Sequence, residues 1–234
     1  MLRPYNLQPT TYNLLAITLI LALLLFCLPP FWLVSPRQAE AATEDAWFNT
    51  SYKYRMKLTL DNTLVSGSTD LTNFPVLVAF TNANLATTGN GGDVTNSSGY
   101  DIIFAEADST PAKLDHEIEK YTSTSGEIVM WVEIPTLGAT ADTDIYMYYG
   151  NSSVSSSQEA ATGVWDSNFK GVWHLKEDPT GTAPQMKDST SGANHGTSVG
   201  SMVAGDQLAG QIDGSLNFDG SNDYVDVANE SNLD

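Results

Sequence analysis

Residues 52–60 read YKYRMKLTL, and in this run Tyr52, Tyr54, Met56, Leu58 and Leu60 alternate with Lys53, Arg55, Lys57 and Thr59. Successive side chains of an extended strand point to opposite faces. The alternation therefore predicts a half-buried strand, apolar inward and basic outward. The same period of two recurs between Trp47 and Tyr149, and it predicts further strands at 74–80, 101–105, 114–121, 127–134 and 144–149. Pro75 stands near a strand start, where a missing N–H is tolerated. Loops rich in Gly, Asn, Ser and Thr separate the runs, notably 87–100 and 122–126. No segment here keeps an apolar stripe at helical spacing for three turns. Six short strands joined by polar turns predict an antiparallel β-sandwich or jelly roll over residues 45–157.

Beyond it, GNSSVSSS at 150–157 reads as turn material, and 158–165 predicts one short helix inside a linker at 158–168. A second β-rich stretch begins at Phe169, with strands expected at 171–175, 215–218 and 224–227. Residues 169–234 supply about 65 positions, against on the order of 100 for a lone sandwich. This second unit is therefore expected to be incomplete, with unpaired strand edges. The fold class is all-β throughout.

The 234 residues carry 28 Asp and Glu against 10 Lys and Arg, a formal net charge of -18. Beyond residue 41 the balance is 8 basic to 27 acidic. Such a surface repels a phosphate backbone, so nucleic acid is excluded as a default partner, and it attracts divalent cations. Residues 14–28 form an apolar run broken only by Thr18, after Arg3 and before Pro29 and Pro30. Ala39, Ala41 and Ala42 follow. This pattern predicts a secretory signal over residues 1–41, cut after about Ala41, and hence an extracellular or cell-surface protein. An uncleaved anchor is the alternative, and in that case the segment is the only membrane contact. The single cysteine, Cys27, lies inside this run, so disulfides, zinc-thiolate sites and cysteine nucleophiles are excluded downstream.

Three groups of residues are chemically suggestive. Glu117 and Glu119 in HEIEK fall on one strand face, roughly 6.6–7 Å apart at the backbone, a spacing conceivable for a retaining glycosidase. Tyr121 and Asp115 share that face, no third carboxylate completes a catalytic strand, and a solvated acidic face is the plainer reading. No catalytic residue is assigned. Trp131, Tyr146 and Tyr148 lie opposite the aliphatic sets of their strands; they read either as rings stacking on a sugar or as ordinary sandwich core. FDGSNDYVDV at 218–227 offers Asp219, Asn222, Asp223 and Asp226, oxygen donors of the kind calcium takes, and Asp188 could join them. The spacing is not that of the twelve-residue helix-hairpin calcium loop, and a plain β-turn has the same composition. His174 in VWHL reads as a satisfied structural histidine, and His195 as a loop residue. No nucleophile elbow, phosphate-binding loop or zinc-protease motif is present.

Two family resemblances rest on these stretches. YKYRMKLTL, NFPVLVAF, YDIIFAEADSTPAKLDHEIEKY, EIVMWVEIP and DIYMYYGN resemble, in order and spacing, domain of unknown function 2341 of exported bacterial and archaeal surface proteins. From Phe169, VWHLKED, KDSTSGANHGT and GSLNFDGSNDYVDV look like the opening of a concanavalin A-like lectin/glucanase domain of the laminin-G type. The second resemblance implies a two-sheet jelly roll that binds glycans or proteins, sometimes with calcium. Together they imply an exported, non-catalytic protein of glycan recognition or adhesion, partnered by a glycan or a surface protein. Trp131, Tyr146 and Tyr148 are then the candidate ligand contacts, and Asp188, Asp219, Asn222 and Asp223 the candidate calcium ligands. The alternatives are a polysaccharide hydrolase or its binding appendage, and a structural spacer in a surface or proton-channel-associated assembly.

Overall fold

The computed structural model describes residues 46–228. The expected signal segment and Cys27 lie outside the described residues. Seven strands build the first part: β1 (Tyr54–Leu60), β2 (Leu71–Thr81), β3 (Ile103–Glu106), β4 (Lys113–Leu114), β5 (His116–Thr122), β6 (Glu127–Leu137) and β7 (Thr143–Tyr149). They form two antiparallel sheets, one of order β1-β7-β3-β4 and one of order β2-β6-β5. The period of two sets the faces. Met56 stands opposite Met147 and Leu58 opposite Ile145 in the first sheet, while Val78 faces Met130 and Phe80 faces Ile128 in the second. These side chains meet between the sheets with Phe104, Leu114, Val132 and Ile134 in one apolar core. Each large apolar side chain fully buried there contributes about 1.5–3 kcal/mol. The chain is thus an all-β antiparallel sandwich, as the alternation predicts.

The expected strand at 114–121 is in fact two. Leu114 pairs with Phe104 in the four-stranded sheet, whereas His116 pairs with Val132 in the three-stranded one, so the chain changes sheets at Asp115. The hairpin from β5 to β6 turns at Gly126, whose φ is +69°. A Cβ there would lie 2.1 Å from the Asn82 carbonyl oxygen, so only glycine fits this left-handed, closely approached position.

Both outer faces are partly covered. Residues 46–52 fold over the four-stranded sheet. Tyr148 is buried beneath them, edge-on to Trp47 at 5.4 Å between centroids, and the Phe48 N–H donates to its hydroxyl at 3.1 Å. The Arg55 guanidinium lies 4.8 Å from the Trp47 ring and 4.1 Å from the Tyr146 ring, a cation–π arrangement that explains why a basic residue can sit on this aromatic side. Asp101, fully buried, ties the loop before β3 to the end of β7. Its carboxylate accepts hydrogen bonds from the N–H groups of Thr95, Asn96, Gly150 and Asn151 and from the Thr95 hydroxyl.

The three-stranded sheet is covered by the chain that follows. The expected helix is a single turn, α1 (Ala161–Val164), which brings buried Trp165 over Trp131. Four short strands come after it. β8 (Gly196–Val199) pairs with β11 (Tyr224–Val227), and β9 (Gln207–Ala209) with β10 (Gly214–Leu216). Residues 171–175, expected as a strand, make only one bridge, from Trp173 to Asp188. Leu208, Ile212, Phe218 and Tyr224 are exposed on these short pairs.

Candidate functional site

Outward from β5 and opposite Trp131, Glu117 points into the layer formed by residues 160–190. A register shift between Ile118 and Lys120 inserts Glu119 as an unpaired residue, a bulge of the kind that re-aims side chains. Its effect is to bring Glu119 to the same imidazole as Glu117. His174 Nε2 lies 3.1 Å from Glu117 Oε2, and Nδ1 lies 2.6 Å from Glu119 Oε2. The latter oxygen makes no hydrogen bond of ordinary geometry, so the Glu119 contact is electrostatic rather than directional. The bulge also corrects one expectation. Tyr121 does not share the carboxylate face; it turns into the core, and its hydroxyl donates to the Leu85 carbonyl at 2.7 Å.

Glu117 is the hub. Beyond His174 it accepts from Trp165 Nε1 at 2.9 Å and from the Ser189 hydroxyl at 2.5 Å. Lys176 completes the group, donating to the carbonyls of Ile118 and Glu119 at 3.1 Å with its Nζ 3.9 Å from Glu119 Oε2. Two carboxylates thus meet one ammonium and one imidazole, so protonating the ring makes the cluster neutral. Burial alone pulls the imidazole down, but the Glu117 hydrogen bond and the close charges of Glu117 and Glu119 outweigh it and lift His174 to about 9. For Glu117 burial pushes up, and the His174, Ser189 and Trp165 hydrogen bonds overcome it and hold the carboxyl below its ordinary value. Near neutrality the pair is therefore a carboxylate and an imidazolium, a buried clasp between β5 and the chain that follows.

The sequence expectations map onto this geometry unevenly. Trp131, Tyr146 and Tyr148 do not form one face: Tyr146 and Tyr148 belong to β7 in one sheet, and Trp131 to β6 in the other. None lies between the sheets; Trp131 is half-buried against Trp165 at 5.1 Å, Tyr146 half-buried under Arg55, and Tyr148 buried beneath residues 47–52. Alternation shows which side chains share a face of one strand but not what is laid over that face. His174 is satisfied, as expected, by partners 57 and 55 positions earlier that local sequence gives no way to name.

The candidate calcium ligands are engaged by the chain itself. Asp188 is buried; its Oδ1 accepts from the N–H groups of Val172 and Thr190, and its Oδ2 from the Asn194 N–H and the Thr190 hydroxyl. Those donors use the lone pairs that a cation would need. Asp219 accepts from the Ser221 and Asn222 N–H groups, and Asp223 from those of Ser201 and Asp219. Among the described residues no three Asp, Glu, His or Cys side chains gather so as to hold a metal ion. Asp188 with Asp219, Asn222 and Asp223 therefore does not fit calcium as a single ligand set.

His116 is a second buried imidazole that serves no such cluster. It is fully buried, stands edge-on to Phe104 at 5.7 Å between centroids, and neither ring nitrogen has a hydrogen-bond partner. Burial first, and then the Lys113 charge, push it down to about 4. Beside the clasp, an open pocket of about 250 Å³ is lined by Glu119, Trp173, His174 and residues 211–214. Another of about 270 Å³ lies at Phe169 and Lys170.

No curated protein and no solved structure matches the chain. Among the described residues no helix is long and apolar enough to cross a membrane. Residues 98–174, about a third of the chain and the stretch that runs from the turn before β3 to His174 of the clasp, match a family described as a domain of unknown function, DUF2341.

Proposed function

We propose that the chain is an exported, non-catalytic binding protein, acting at the cell surface or secreted, in glycan recognition or adhesion. The observation that carries this is the buried clasp. Glu117 and Glu119, the best candidate acid–base pair of the sequence reading, converge on His174 instead of flanking an open cleft. A carboxylate held low and an imidazole held high exchange no proton near neutrality, which is unsuited to general acid–base work. A clasp of this kind suits an assembly that fixes one β-rich segment on another. The resemblance of residues 169–234 to the opening of a concanavalin A-like domain points to a glycan or a surface protein as the partner, and the signal-like residues 1–41 to export.

The test is retention on a panel of insoluble polysaccharides, with bound protein and released reducing sugar both assayed. Retention without release supports the reading. Release of sugar by the wild-type chain refutes it in favour of a hydrolase. Neither retention nor release moves the chain to the structural-spacer reading.

A further inference from the structure

The pocket beside the clasp is built from two segments that glycine alone lets meet. A Cβ on Gly214 would lie 2.4 Å from the Lys176 Cα and 2.6 Å from the Leu175 carbonyl oxygen. Leu175 itself has a φ of +55°, a left-handed conformation that costs a branched side chain about 1–3 kcal/mol and clusters at binding sites. The walls are thus held in place by the fold.

What lines them is specific in chemistry. Trp173 offers an aromatic surface, with its Nε1 already donating to the Asn194 carbonyl at 2.8 Å. Glu119, with its side chain only 2% exposed, forms the closed inner wall, its Oε2 held by His174 Nδ1 at 2.6 Å. Asp213 contributes a carboxylate, and Gln211 an amide, neither of which is used by any side-chain hydrogen bond among the described residues. Acceptors outnumber donors, so the pocket suits a ligand that presents several donors. The Asp213 carboxylate on a chain of net charge -18 repels an anion. The volume of about 250 Å³ is below the roughly 300–1,000 Å³ of pockets for drug-sized ligands, so it takes one small ring.

We infer that this pocket, between Trp173 and residues 211–214, binds one neutral hexose unit of a polysaccharide, its hydroxyls donating to Asp213 and Gln211 and its C–H face lying against Trp173. The inference rests on the binding reading above and gives that reading a site. It is separate from the Trp131, Tyr146 and Tyr148 set, of which Tyr148 is buried.

The test uses the full chain with soluble hexamers of β-1,3-glucan, β-1,4-glucan, β-1,4-xylan and β-1,4-mannan, with oligogalacturonate and chitosan hexamer as the charged arms, read by calorimetric titration. The variants are Asp213→Ala and Gln211→Ala, with Phe169→Ala as a control at the other pocket; thermal melts check that each is folded. The expected result is binding of at least one neutral hexamer, weakened about tenfold or more by Asp213→Ala, the loss of one hydrogen bond to a charged acceptor, and unchanged by Phe169→Ala. Binding of a neutral hexamer that survives Asp213→Ala and Gln211→Ala together overturns the site while the binding reading stands. So does retention on insoluble polysaccharide with no hexamer bound. Preference for either charged hexamer overturns the neutral class, and failure of every retention and titration overturns site and reading together.

Discussion

Raising the pH from 6.5 to 10 removes the proton that His174 holds between Glu117 and Glu119. In the unfolded chain an imidazole titrates near 6.5, and in the folded chain this one titrates near 9. The folded state binds the proton more tightly, so the clasp's contribution is complete below pH 6.5 and is lost as pH passes through about 9. A rise of that size corresponds to roughly 3 kcal/mol. Solvent still reaches a tenth of the ring and screens the pair, which lowers the expected loss to about 2 kcal/mol. Denaturant unfolding at pH 6.5, 8 and 10 measures it, with His174→Gln as the reference, since that variant keeps every other titrating group. At pH 6.5 His174→Gln is less stable by about 3–5 kcal/mol, because two carboxylates are left buried without their cation. By pH 10 the gap narrows by about 2 kcal/mol. The lowered Glu117 is the same contact seen from its partner and adds nothing further. With only three histidines in the chain, ring proton resonances give the titration directly. A gap that stays constant from pH 6.5 to 10, or a His174 resonance that titrates near 6.5, refutes the clasp as the structure draws it.

His116 gives the opposite sign. Its folded value is depressed to about 4, so its neutral form is stable above pH 6.5 and the fold is penalised as pH falls from 6.5 towards 4; wild type is then most stable near pH 6.5, which unfolding across pH 4–10 checks. Because both His116 nitrogens are buried without partners, His116→Leu removes an uncompensated polar cost of about 1–3 kcal/mol and raises the midpoint, most of all at pH 5. Phe104→Ala, at the centre of the core, lowers unfolding free energy by about 3–5 kcal/mol, and an equal effect of Tyr54→Ala, whose side is 40% exposed, refutes the assignment of the core. Calcium at millimolar concentration leaves the melting temperature unchanged, since Asp188 spends its oxygens on backbone and hydroxyl donors. A rise that chelator reverses and Asp219→Asn abolishes restores the calcium site at the later loop.

The strands of the sandwich are legible in the sequence because one face of each is buried, which writes a period of two into residues such as Met56, Leu58 and Leu60. What stays hidden is decided at longer range. Nothing around Asp115 marks the change of sheet, since Leu114 and His116 both obey the alternation and only their partners differ. The bulge at Glu119 follows from pairing with β6, so Tyr121 reads as lying on the wrong face. β8 and β9, with sequences GTSV and QLA, are too short and too polar to show any period. Of the clasp, the carboxylates and His174 are each conspicuous alone, but their meeting depends on a chain that returns over β5 after more than fifty residues. Trp173 reads as a strand residue, and the pocket it lines exists only because Gly214 lies against Leu175.

A pulling force applied across the sandwich acts first on β1 and β7. β1 and β7 are antiparallel neighbours with Tyr54 opposite Tyr149, the two rings stacked at 5.5 Å. The strand that opens the sandwich and the strand that closes it therefore meet at the same end of one ladder. Tension entering before Tyr54 and leaving after Tyr149 runs along the inter-strand hydrogen bonds, which lie perpendicular to the strands. It would peel the seven paired positions one after another instead of shearing them together. The stacked tyrosines, the layer of residues 46–52 and the Asp101 tie are the first parts to bear such a force, and the inter-sheet core is among the last.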